Sequence, residues 1–183
     1  MDEPRRRVLL PGNERFPGTA ETEDKGEPCE CPFLEAEEWD GVESDWKDIT
    51  FLSASVAAVA GVPVGFQGAR SELQQRAAEL GVVVPKDAML LIGEGRFRRR
   101  VLLEVEPGEL GADRELYRPG GFAFSRLVQA PWGELARAAK RVRNEAEQRY
   151  GRGPTALYAW YLTCRTCSRE RNFETLLVAH YAP

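Results

Sequence analysis

Residues 122–163 read FAFSRLVQAPWGELARAAKRVRNEAEQRYGRGPTALYAWYLT, and this stretch decides the fold. Phe122 to Gln129 is short, aromatic and apolar, as a half-buried strand requires. Residues 133–150 place Leu135, Ala139, Val142, Ala146 and Tyr150 at helical spacing on one face. Gly151 supplies a left-handed helix end, and Pro154 blocks continuation before the next strand. Thr155 to Thr163 and Phe173 to Tyr181 then read as two strong strands, completing a β-α-β-β unit.

The same order lies upstream. Residues 49–62 (ITFLSASVAAVAGV) are apolar and β-rich, and residues 67–80 carry Leu73, Ala77 and Leu80 on one helical face. Gly81 and Pro85 repeat the punctuation of Gly151 and Pro154. Ala88 to Ile92 and Val101 to Glu106 read as a hairpin around Gly93, Glu94 and Gly95. The expected fold is α+β, with pseudo-twofold duplicated βαββ units (49–106 and 121–183) joined by a Pro/Gly-rich linker at 107–120. Each unit alone leaves one sheet face bare. Two side by side share an antiparallel sheet with both helices on one side, and a cleft follows the seam.

Outside the repeat, the chain changes character. Residues 1–48 hold 15 of the 29 acids but 6 of the 25 bases, so an acidic segment precedes a mildly basic body. Residues 1–28 lack apolar periodicity and read as a disordered acidic tail. Residues 29–48 contain Cys29, Cys31, Phe33, Leu34, Trp39 and Trp46, the composition of a strap docked on the body. The basic excess is too small and too scattered for a nucleic-acid partner, and none is expected. No apolar run nears the ~20 residues of a membrane span, and no secretory signal opens the chain. A cytoplasmic location without membrane attachment is the expectation.

Four cysteines form two close pairs, Cys29 with Cys31 and Cys164 with Cys167. In a reducing compartment such pairs point to a metal site, because zinc favours four thiolates in a tetrahedron and a C-x-x-C turn delivers two from one loop. The second pair falls at the tip between the last two strands, so a structural zinc there would pin the strap to the second unit. A redox pair or unconnected thiols are the alternatives. His180, the one histidine, lies on the last strand and reads as a satisfied core or edge residue.

Candidate ligand-binding aromatics are Trp132 at the strand-to-helix turn, Tyr158, Trp160 and Tyr161 on one strand, and Phe124 and Trp46. Alternation puts Tyr158 and Trp160 on one face and Tyr161 on the other. Candidate catalytic groups are Glu104 and Glu106, which share a strand face opposite Val101, Leu103 and Val105, together with the Tyr161 hydroxyl. A carboxylate desolvated in an aromatic cleft suits general acid or base work. Glu94 and Glu174 are weaker candidates. Core packing and a solvated sheet face are the plain readings of the aromatic and acidic sets, respectively.

Phe122 to Val128, Ala130-Pro-Trp-Gly-Glu-Leu135, the helix ending at Tyr150-Gly151, Gly153-Pro154, Tyr158 to Leu162 and the strand from Phe173 together resemble the GyrI-like small-molecule-binding family. That family includes the effector-binding domains of multidrug-sensing regulators and relatives with the SOUL-like fold. The resemblance spans about residues 49–183. It implies a stand-alone protein holding a small hydrophobic or aromatic molecule between two βαββ units. Many relatives carry a Glu two residues before a Tyr in the second unit, where this chain has Ala159 before Tyr161. Some stand-alone members resemble hydrolases of strained electrophilic compounds, which is the alternative function. A zinc-stapled protein-interaction module is the third.

Overall fold

The computed structural model describes residues 8–9, 31–59, 62–107, 115–164 and 167–183. The reading of 1–28 as a disordered tail lies outside these residues except at Val8–Leu9 (β1), which pairs with Phe33–Leu34 (β2). The elements that follow are α1 (Ala36–Trp39), β3 (Val42–Asp45), β4 (Thr50–Val59), β5 (Val62–Val64) and α2 (Phe66–Glu79). Then come β6 (Leu90–Gly93), β7 (Arg98–Val105), β8 (Phe122–Gln129) and α3 (Trp132–Tyr150). The last are β9 (Ala156–Tyr161), α4 (Cys167–Glu170) and β10 (Glu174–Tyr181).

The architecture is α+β. One antiparallel sheet of eight strands runs β3-β8-β10-β9-β6-β7-β4-β5. Read outwards from the β9/β6 seam, each side places the last strand of its βαββ segment between the other two. The seam is short, with only Ile92 opposite Ala159 and Gly93 opposite Tyr158.

The two long helices, α2 and α3, cover the same face. Ala69, Leu73 and Ala77 of α2 and Ala138, Val142 and Ala146 of α3 join one core with Leu52, Val101, Leu103, Phe124, Leu157 and Leu177 of the sheet. The helix ends follow the expected chemistry. Gly81 adopts φ +65°, and the Val82 and Gly81 amides donate to the Ala77 and Ala78 carbonyls in a Schellman arrangement. Gly151 adopts φ +68° with its amide on the Glu147 carbonyl.

The opposite face is covered by the strap. Leu34, Trp39 and Trp46 pack with Phe51, Leu91, Leu102, Tyr158, Trp160, Leu176 and Val178 in a second core. The strap also adds an unanticipated edge strand, β3, in register with β8 from Val42–Ser125 to Asp45–Phe122. The buried Ser125 hydroxyl donates to the Trp39 carbonyl at 2.7 Å, and the Leu127 amide donates to Asp40 Oδ1 at 3.0 Å. Because the strap closes this face, all eight residues of β10 are buried.

Candidate functional site

Three structural features lie along β9. The first is the cysteine knuckle between β9 and β10. Cys164 closes the loop after β9, Cys167 opens the single turn of α4, and Cys31 arrives from the strap. Their Sγ atoms all lie within 4.8 Å of one another. The Cys164 amide donates to Cys31 Sγ at 3.0 Å, and the Cys167 amide reaches Cys164 Sγ at 3.5 Å. Amides aimed at sulfur stabilise thiolate, the form that binds metal. A tetrahedral zinc with bonds of about 2.3 Å holds its sulfurs about 3.8 Å apart, so the set needs little adjustment to take an ion. The three cysteines can hold a metal ion. Cys29, the expected fourth ligand, lies outside the described residues.

Arg171 reinforces the knuckle. Its guanidinium donates to the carbonyls of Pro32 (2.9 Å) and Leu162 (3.2 Å), pairs with Glu174, and lies 4.9 Å from the Phe33 ring centroid. One side chain thus links the strap, the end of β9 and the start of β10. The turn into β10 is strained: Asn172 and Phe173 adopt φ of +47° and +56°, a region that a bulky residue such as Phe rarely occupies. The Phe173 amide, donating to the Ser168 carbonyl at 2.6 Å, helps hold it there.

The second feature is a pair of cavities on the helix face. The larger, about 570 Å³, is lined by Phe66 at the start of α2, Leu135 of α3, Tyr161, and the knuckle residues Thr163, Cys164 and Phe173. The smaller, about 300 Å³, lies over the β9/β6 seam against Ile92, Glu94, Arg99, Leu157 and Ala139. Leu135 and Tyr161 line both, so the two adjoin.

The third feature is the polar equipment of this cleft. Burial raises the Tyr161 hydroxyl above the ordinary phenol range, opposed by the charge and hydrogen bonding of Arg99. Tyr161 is therefore a neutral donor at neutral pH. Glu94 stands at the rim, paired with Arg143. It is the one acid among the described residues lining either cavity.

The structure brings together some of the sequence candidates and separates others. Tyr161 lines the cleft. Phe124 is fully buried beneath α3, and Trp46 and Trp160 are buried on the strap face. Tyr158 borders the smaller cavity, but its ring packs with Trp46 and His180 in the strap-side core. Burial, with Tyr117 adding to it, pushes its hydroxyl up to about 12. The Trp132 side chain lies outside the described structure, although its backbone opens α3.

Glu104 and Glu106 follow the parity of Leu102 and so face the strap, while Tyr161 faces the helices. They do not converge with it. Glu104 instead accepts the Met89 amide at 3.0 Å. His180 is 2% exposed, donates from Nε2 to the Gly120 carbonyl at 2.8 Å and stacks on Trp46 at 5.0 Å.

Sequence reasoning missed Arg99, although its signal was available: it shares the alternate series of Val101, Leu103 and Val105, whose side chains all face the helices. For Arg171 only the i,i+3 pairing with Glu174 was local; the carbonyls it braces lie 9 and 139 residues away and left no signal. Among the described residues, no helix is long and apolar enough to cross a membrane.

A family described as bacterial hydrolase matches residues 20–179 of the chain. No curated protein matches it.

Proposed function

The chain belongs to the bacterial hydrolase family, and from that premise we propose that it hydrolyses a small, largely apolar electrophile in the cleft between α2 and α3. Strained compounds, whose ring opening needs one proton and one water, are the substrate class. The observation that carries this reading is the Tyr161 hydroxyl, held neutral by burial at the junction of the two cavities. It would protonate the leaving heteroatom as water forms a bond to the electrophilic carbon and the strained bond breaks. The proton released by that water would return through Glu94, the acid at the rim, to the tyrosine oxygen. Kinship with GyrI-like ligand binders is part of the same proposal. The strand order about the β9/β6 seam, with a helix-flanked cleft above it, supports that kinship.

The test is turnover of a panel of epoxides, aziridines and strained lactones, read as addition of one water by mass spectrometry. Tyr161→Phe should lower kcat by about 10²–10⁴, the usual contribution of a positioned proton donor. Glu94→Gln should lower it through loss of the base. A second reading, binding without chemistry, is favoured by the position of Glu94, which is half-exposed and already paired with Arg143. Ligand-induced thermal stabilisation without any hydrolysis would select that reading.

The metal in the proposal is zinc, held by Cys31, Cys164 and Cys167 with Cys29 as the fourth thiolate, in a structural role. The all-sulfur donor set and the proximity of the three described thiols support it. Elemental analysis should give about one zinc per chain; a value near zero with fully reactive thiols would remove the claim.

A further inference from the structure

The smaller cavity contains a charge that the described residues do not neutralise. Arg99 sits on β7 in the series that faces the helices, whereas neighbouring Arg100 turns to the strap side and lies 5.1 Å from the Tyr117 ring centroid. The Arg99 Nε donates to the Gly95 carbonyl at 3.3 Å, and the guanidinium reaches the Tyr161 hydroxyl. Several other arginines pair with acids, Arg76 with Glu115, Arg126 with Asp40 and Glu145, and Arg171 with Glu174, while Arg100, Arg149 and Arg152 lie over aromatic rings. Among the described residues no carboxylate pairs with Arg99, and the nearby Glu94 is taken by Arg143.

A half-buried guanidinium against apolar walls is poorly solvated, and an anion entering the cavity compensates it. Its planar fork matches a carboxylate in bidentate geometry. Tyr161, a neutral hydroxyl on β9, two strands away across β6, offers one more donor. The surrounding surface is Ile92, Leu157, Ala159 and Leu177 of the sheet with Leu135 and Ala139 of α3, which suits an apolar body.

We propose that the cleft selects organic anions: a carboxylate seated on Arg99 and Tyr161, attached to a flat apolar or aromatic body that extends towards Phe66 and Phe173. This deepens the functional reading above and rests on the same cleft being the working site. It also sets this chain apart from a cation binder.

The experiment is direct binding by calorimetry, with no turnover required. The probes are 2-naphthoate, its neutral amide and the cationic 2-naphthylmethylammonium. Naphthoate should bind the full chain roughly tenfold or more tighter than the amide, the preference expected of a hydrogen-bonded charge. The preference should weaken with added salt. Arg99→Gln should abolish it by weakening naphthoate far more than the amide, and Arg99→Lys should retain part of it. Should Arg99→Gln not fold, the lysine variant and the wild-type salt series decide. Equal binding of the three probes, preference for the ammonium, no binding of naphthoate, or an undiminished preference in Arg99→Gln would overturn the proposal. Because the readout is binding, a protein that prefers naphthoate but hydrolyses nothing loses the hydrolase reading and keeps this one. A protein that hydrolyses neutral electrophiles without anion preference does the reverse.

Discussion

The two faces of the sheet are built from the same strands and end up as different materials. On the strap face, large aromatic rings fill the space: Trp39 meets Trp160 edge-on at 5.7 Å, and Trp46 lies 5.5 Å from Phe51 and 6.2 Å from Tyr158. On the helix face, the buried helix positions include alanines such as Ala69, Ala77, Ala138 and Ala146, and the gap between α2 and α3 stays open as a cleft. The difference teaches which face is packed solid and which leaves space. Rings packed by a covalently continuous strap give a dry, closed layer. Small residues under two separate helices leave room for a ligand.

Four measurements would break or sharpen this contrast. The largest expected effect is on the strap face: Trp46→Ala should destabilise the protein by about 3–5 kcal/mol in denaturant unfolding, the usual result of emptying a buried aromatic site. Trp46→Phe should be far milder, since among the described residues the buried indole Nε1 has no hydrogen-bond partner to lose. Next comes the knuckle. Chelation or Cys164→Ser should release the strap, red-shift tryptophan emission and lower stability by about 3 kcal/mol, the scale of a ligand present at a hundred times its Kd.

The third effect is on pH dependence. Burial lowers His180 below its ordinary value of 6.5, opposed by its bond to Gly120. The unfolded chain therefore takes up a proton that the folded chain refuses. Stability should fall as pH drops below about 6.5 and stop falling at the lowered folded value, with a slope of at most about 1.4 kcal/mol per pH unit from this group. His180→Gln should remove that component. The smallest effect belongs to the helix face, where Tyr161→Phe should change stability by about 1 kcal/mol or less while abolishing most turnover. A Tyr161→Phe change as damaging to folding as Trp46→Ala would erase the distinction between the faces.

Much of this was legible in the residues. Period-two and helical spacing located β4, β6, β7, β8, β9 and β10 with the helices α2 and α3, though not the separate strand Val62–Val64, and the Gly81/Pro85 and Gly151/Pro154 pairs marked the helix ends, because these signals are local. Cysteine spacing pointed to the knuckle, and the tryptophans to a docked strap. Strand parity separated Tyr161 from Tyr158 and Trp160. What spacing could not say was which side of the sheet each series faced, since that depends on where the strap and helices land. Glu104 and Glu106 were therefore grouped with Tyr161 although they face the strap. Val42–Asp45 (VESD) alternates charge with modest apolarity, so its role as an edge strand emerges only from pairing with β8.

The position of β10 has a consequence for how the protein is made. It lies between β8 and β9 and pairs with both, yet it leaves the ribosome after either of them. Until it arrives, the second unit has two strands without their common neighbour. This half therefore cannot complete its sheet before residues 174–181 are synthesised, and until then the nascent chain presents unpaired strand edges of the kind that chaperones recognise.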